Sequence, residues 1–470
     1  MKVRHLAFTL VLVLILLGVG IGYIVLSPSL VSVSPRPGEE DVMAASPVQL
    51  TFSRGMQADS VEERLVFKPE RTGGFLWEEN TLTFKPDQPW ASGEEISVRL
   101  EAGARSAGFI PLAVRDSTEW TFTISQSRLL YLFPMDGLAN LFAYDPNSDE
   151  TQQLTFSTSG LLDFSTSLDG RLIYFSERNS SGGSDIYLID RLVLSQGETG
   201  IYRLLACPQA LCHTPQVSLD GAMLAYEREP LPESGQPLFT QVWLLELSGE
   251  NKSVPGDAVQ YLAGDDGHAT MLPSWSSTGW LSFYDLSLRA FILLNPVSNE
   301  RLEFPNETGE PGAWSPDGEA FIAPEIIFTP APEGMEEFSQ MAASHLMRFD
   351  LNTQEIRNLS QGVALEDTFP SFSPDGSRLA FTRRFLDEHR WTLGRQIWVM
   401  VVDSGETEPL TSSPSFNHYG IAWSPGGDRL VYLRFNLDRL TDPGELWLVE
   451  LKRGEQVQII TGGYSPRWIP

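Results

Sequence analysis

From residue 128 onward the chain alternates short apolar runs with polar punctuation, and the runs are too short for helix faces. Residues 141–145 (Leu-Phe-Ala-Tyr-Asp), 186–190, 242–246, 291–295, 346–350, 397–401 and 446–450 are such runs, and most end on an acidic residue or Asn. They read as strands rich in β-branched and aromatic side chains. A second signal stands between them. Ser373-Pro374-Asp375-Gly376 recurs as Ser315-Pro316-Asp317-Gly318 and Ser424-Pro425-Gly426-Gly427, with weaker copies beginning at Ser167, Ser218 and Ser276. Pro presets φ, Asp bonds its own backbone and Gly takes positive φ, so each copy predicts a tight hairpin turn. An aromatic precedes most copies: Trp275, Trp314, Phe372 and Trp423.

The turn glycines at 170, 221, 279, 318, 376 and 427 mark a repeat, which predicts a propeller or solenoid. Pro466-Arg467-Trp468 has the form of a first strand with nothing after it. Residues 128–132 have the form of a second strand with nothing before it. Pairing the two closes the ring and removes open sheet edges. The expected architecture over 127–470 is a seven-bladed β-propeller, with six or eight blades as the alternatives.

Residues 30–125 form a separate pattern of period-2 alternation with Pro and Gly punctuation, which predicts a β-sandwich. Its runs include 48–52, 81–84, 96–100 and 120–123. The fold class is therefore all-β throughout, preceded by one apolar segment. Residues 6–26 carry no charge, are long enough to cross a bilayer, and follow Lys2 and Arg4. They predict a transmembrane signal anchor, with residues 1–5 cytoplasmic and the body extracytoplasmic at the cell membrane. A cleaved signal peptide is the rival reading.

Two resemblances follow from these motifs. The P-x-[WF]-S-P-D-G turns and the strands after them resemble the WD40-like repeats of TolB-type propellers. Pro35-Arg36-Pro37-Gly38, Leu50-Thr51-Phe52-Ser53-Arg54-Gly55-Met56, Leu82 to Pro86 and Trp120 to Thr123 resemble the bacterial Ig-like domain of the S-layer (SbsA) type. That resemblance implies a spacer or adhesive module, with Met56 and Trp77 in its core.

Composition narrows the function. The net charge of -28 argues against a nucleic-acid partner and against anionic lipid as a binding surface. The two cysteines, Cys207 and Cys212, suit a local disulfide in an exported chain; two free thiols or a thiolate metal site are the alternatives. No G-x-S-x-G nucleophile elbow occurs. Asp145-x-Asn147-x-Asp149 departs from an EF-hand loop at Glu150 and Phe156. No cofactor or metal is expected.

The connections at 227–241, 323–345, 382–396, 434–445, 205–214 and 411–419 are long and fall on one face, whereas the S-P-D-G turns fall on the other. Long loops on a rigid scaffold concentrate binding residues. Arg383, Arg384, His389, Arg390, Trp391 and Arg395 form a cationic, aromatic candidate for gripping a carboxylate, phosphate or sugar, with pairing to Asp387 and Glu388 as the alternative. His418 and Tyr419 are a second candidate and residues 265–268 a third. The sequence thus predicts a non-enzymatic, membrane-anchored scaffold whose long-loop face binds a protein, peptide or cell-envelope glycan. The alternative is a propeller enzyme acting on glycan or peptide, which requires carboxylates converging in the channel.

Overall fold

The computed structural model describes residues 27–470 apart from 43–45, 88–89, 110, 196–199, 236–237, 249–253 and 331–339. The anchor expected over 6–26 lies outside the described residues, and among the described residues no helix is long and apolar enough to cross a membrane. The chain divides into two compact units, one ending at Gln126 and the other spanning Ser127–Ile469.

The first unit is a sandwich of two four-stranded sheets. One contains Leu30–Ser34, Val48–Phe52, Thr81–Pro86 and Gly73–Glu78; the other contains Glu39–Val42, Thr118–Ile124, Glu95–Leu100 and Leu65–Lys68. Alternation decides which side chains enter: Val48, Leu50 and Phe52 are buried while Gln49 is exposed. Phe67 stacks on Phe84 at 4.3 Å between ring centroids, and Trp90 packs beside both. Met56 is buried in this core, and Trp77 packs at its edge with its indole N–H donated to Glu62 at 2.8 Å.

The second unit is a succession of four-stranded antiparallel meanders. Their first strands are Leu161–Thr166, Ala210–Val217, Thr270–Trp275, Ala313–Trp314, Leu365–Phe372, Phe416–Trp423 and Tyr464–Ile469. Each neighbours the first strand of the next meander, and Tyr464–Ile469 neighbours Leu161–Thr166, so the succession closes on itself. Tyr464–Ile469 also pairs with Arg128–Phe133, placing Arg467 opposite Leu130 and Trp468 opposite Leu129. Both ends of the unit thus complete one sheet. Apolar clusters lie between consecutive meanders: Val242 meets Phe283, Phe291 meets Phe321, and Ile397 meets Tyr432. Burial of these large side chains is the main force holding the ring together.

The S-P-D-G turns have one geometry. At the 373–376 copy the Gly376 N–H reaches Ser373 O at 2.9 Å, the Arg378 N–H reaches Ser373 Oγ at 2.9 Å, and Gly376 has φ +71°. The tryptophan near the end of a first strand has a second role. Trp275, Trp314, Trp423 and Trp468 donate their indole N–H to Gln216 O, Ser274 O, Ser371 O and Ala422 O of the preceding meander, at 2.9, 3.1, 2.9 and 3.2 Å. Each is a stitch between neighbours that satisfies a half-buried polar group. Phe372 has no such donor.

The long connections are shorter than the sequence suggests, because strand pairing runs into them. Ala320–Pro330 and Gln340–Asp350 form one long hairpin, so much of 323–345 is strand. Arg378–Phe385 and Arg429–Asn436 likewise extend beyond the expected ends. Period-2 apolar patterning lapses there while the backbone ladder continues. Cys207 and Cys212 are joined by a disulfide.

Candidate functional site

Five of the first strands share a second device besides the turn. Thr214, Leu272, Phe369, Gly420 and Ser465 have φ of +51°, +61°, +53°, +63° and +51°. Each sits where the register of its strand slips against the next, between His213 and Gln216, Met271 and Ser274, Thr368 and Ser371, Tyr419 and Ala422, and Tyr464 and Arg467. In all but Gly420 the next residue is proline, which donates no hydrogen bond and suits a bulge. A left-handed β-branched residue such as Thr214 is costly, and such strain is held where the surroundings impose it.

Two carboxylates use these bulges. Asp163 Oδ2 accepts the Thr214 N–H at 2.6 Å, and Glu227 Oε1 accepts the Leu272 N–H at 2.8 Å. Each acid therefore reaches from one meander to the bulge of the next. The Thr214 hydroxyl lies against both carboxylates and 3.0 Å from His213 Nδ1, which stands 3.5 Å from Glu227 Oε2. Burial pushes both carboxyls above the usual carboxylate range. Asp163 is partly relieved by Ser176 directly across the ladder, and Glu227 is raised further by the charge of Asp163. Arg467 joins the cluster from the closing strand; enclosure by the protein lowers its pKa and the charge of Asp163 opposes that.

This arrangement supplies paired carboxyl groups that hold a proton more readily than free acids, beside a hydroxyl and an imidazole. It is not a relay of the serine-hydrolase kind. There the histidine uses opposite ring nitrogens, whereas His213 Nδ1 faces both Thr214 and Glu227.

The residues singled out from sequence fall in three places. Arg383 and Arg384 are adjacent on a strand and so point to opposite faces. Arg383 is 4% exposed and makes two 2.7 Å bonds to Asp367, which is 0% exposed. Arg384 and Arg395 both bind Glu366 Oε2, at 2.6 and 3.0 Å, and Glu310, raised by burial, lies beside Arg395. Arg390 pairs with Asp387 and lies over the Phe385 ring, while His389 and Trp391 are exposed nearby. His418 is buried against the Arg395 carbonyl, 2.8 Å from Nδ1, and burial pushes its pKa down to about 4. Tyr419 stacks on Phe435 at 5.2 Å, and burial pushes it up to about 12. Asp265, His268 and Asp285 converge, but His268 Nδ1 is taken by Asp285 at 2.8 Å and Asp265 by Arg301 at 3.0 Å.

Asp163, His213, Thr214, Glu227 and Arg467 escape a reading of the sequence. The available signal is an ionisable residue inside an apolar run, as Asp163 is between Leu162 and Phe164, but 61 acidic residues make single acids uninformative.

Residues 26–124 match the bacterial Ig-like domain family. Among curated proteins, dipeptidyl-peptidase 5 of Porphyromonas gingivalis is 26% identical over 153 residues, which is 33% of this chain and 21% of that one. The match thus spans about a fifth of that relative's length. Among solved structures, TolB from Acinetobacter baumannii is 14% identical with a TM-score of 0.42, over 87% of this chain and 83% of that one. The β-propeller domain of the trilobed protease from Pyrococcus furiosus is 12% identical with a TM-score of 0.46, over 79% and 93%. The expectation of a non-enzymatic protein is corrected by the curated match, which is to a peptidase. The chain carries a bacterial Ig-like domain followed by a β-propeller with TolB-type neighbours.

Proposed function

We propose that this chain is a peptide-processing protein of the propeller type, in which a peptide enters a ring of seven blades and is received by Asp163, Thr214, Glu227 and His213. The observation that carries the reading is the meeting of two buried carboxylates from adjacent meanders around one hydroxyl and one imidazole. This is the convergence of carboxylates that a propeller enzyme requires. With both carboxyls raised by burial, one holds a proton while the other accepts, which suits acid–base work on an amide. The likeness to a peptidase supports peptide over glycan as the substrate class.

The body stands outside the cytoplasm on an anchor at 6–26, a reading supported by the Cys207–Cys212 disulfide. The test is hydrolysis of a quenched-fluorescence peptide library by the chain and by its Asp163→Asn/Glu227→Gln variant, each checked for folding by thermal melt. Cleavage lost in a folded variant supports the reading. Cleavage unchanged in that variant, or absent from the parent, sinks it.

A further inference from the structure

Arg467 stands apart from the paired arginines of its unit. Arg171, Arg383, Arg384, Arg390, Arg395 and Arg434 all hold a carboxylate within 3.0 Å. The Arg467 side chain makes no hydrogen bond and no ion pair among the described residues, although it stands on the strand that closes the ring and is enclosed by protein while still partly open to solvent. Its nearest acid, Asp163, spends Oδ2 on the Thr214 N–H and does not come within ion-pair distance. Its guanidinium keeps access to solvent, so five N–H donors in a fixed fork stand open to an incoming ligand.

We propose that Arg467 is a specificity-determining residue that binds a carboxylate of the peptide, its guanidinium taking both oxygens. The proposal rests on the peptide reading above. A guanidinium fork fits a carboxylate bidentately, and a half-enclosed setting strengthens the pair relative to water. The groups that face an incoming carboxylate are Arg467, Asp163, the Tyr464 hydroxyl and Arg178, with Glu227 and His213 beyond Asp163. Two of these are acids, so the ligand is admitted best when Asp163 carries a proton, and burial pushes Asp163 in that direction.

The experiment compares three probes by calorimetry: N-acetyl-trialanine, its C-terminal amide, and N-acetyl-Ala-Glu-Ala amide. They present a terminal carboxylate, none, and a side-chain carboxylate. The expected result is that one acid binds the parent about tenfold or more tighter than the neutral amide, as a charge-assisted pair provides. Arg467→Gln removes that difference, Arg467→Lys keeps part of it, and both variants melt like the parent. Which of the two acids prevails says whether the terminus or a side chain is read. Equal binding of acids and amide, or a preference that survives Arg467→Gln, overturns this inference and leaves the peptide reading standing. No binding by any probe overturns both.

Discussion

Replacing Arg383 by Met keeps an apolar stem among Phe381, Phe385 and Trp398, whose rings lie 5.0, 5.8 and 5.2 Å from the guanidinium, and removes only the charge and its donors. Asp367 then stands at 0% exposure with Ser360 Oγ at 2.6 Å as its remaining side-chain donor. Breaking a buried pair from one side costs about 3–5 kcal/mol, because the surviving charge is left uncompensated. The double variant Arg383→Met/Asp367→Leu removes both charges and is expected to recover much of that loss, since apolar replacement of a whole buried pair is often neutral. Urea unfolding followed by tryptophan fluorescence gives both numbers. A loss below about 1 kcal/mol for Arg383→Met, or a double variant worse than the single, refutes the assignment of this pair to stability. The same experiment separates a structural Arg383 from a ligand-binding one, whose removal leaves the unfolding midpoint in place.

Further outcomes follow from other details. His418 is held near 4 in the folded chain against an ordinary value near 6.5, so the unfolded chain binds the extra proton first. Its contribution to stability is therefore constant above that window and falls by about 3 kcal/mol as the pH drops from 6.5 to 4. His418→Phe flattens that part of the profile, and an unchanged slope contradicts the reading. Trp423→Phe deletes one stitch to Ser371 O and is expected to cost about 1 kcal/mol, more than exposed Trp391→Phe. Gly394 lies against the Phe416 backbone, where an added methyl meets the carbonyl, so Gly394→Ala is strongly destabilising; Gly182→Ala meets open space and loses only what its φ of +83° costs.

The sequence makes the turns and the ring closure readable, because a tight turn admits few residues and an unpaired strand at each end demands a partner. Pro466-Arg467-Trp468 and residues 128–132 do pair. It misleads about the cationic stretch, since clustering along the chain is not clustering in space when neighbours alternate faces: Arg383 goes inward to Asp367 while Arg384 meets Glu366. It is silent about the carboxylate cluster for a different reason. Asp163 and Glu227 are far apart in sequence and are joined only by the bulges at Thr214 and Leu272, whose prolines Pro215 and Pro273 look like ordinary breakers. The long hairpin at 320–350 escapes notice because its outer half buries little and so carries no apolar signature, as exposed Phe328 illustrates.

The central claim is that a peptide is received inside the ring at the carboxylate cluster, and photo-crosslinking reads this most directly. A benzophenone-bearing peptide that the protein cleaves or binds is irradiated on the intact chain, and the adducts are mapped by mass spectrometry. The account predicts adducts on residues 213–216, 227, 271–273 and 464–467, suppressed by excess unlabelled peptide. Adducts confined to the S-P-D-G turns or to the Ig-like unit contradict it.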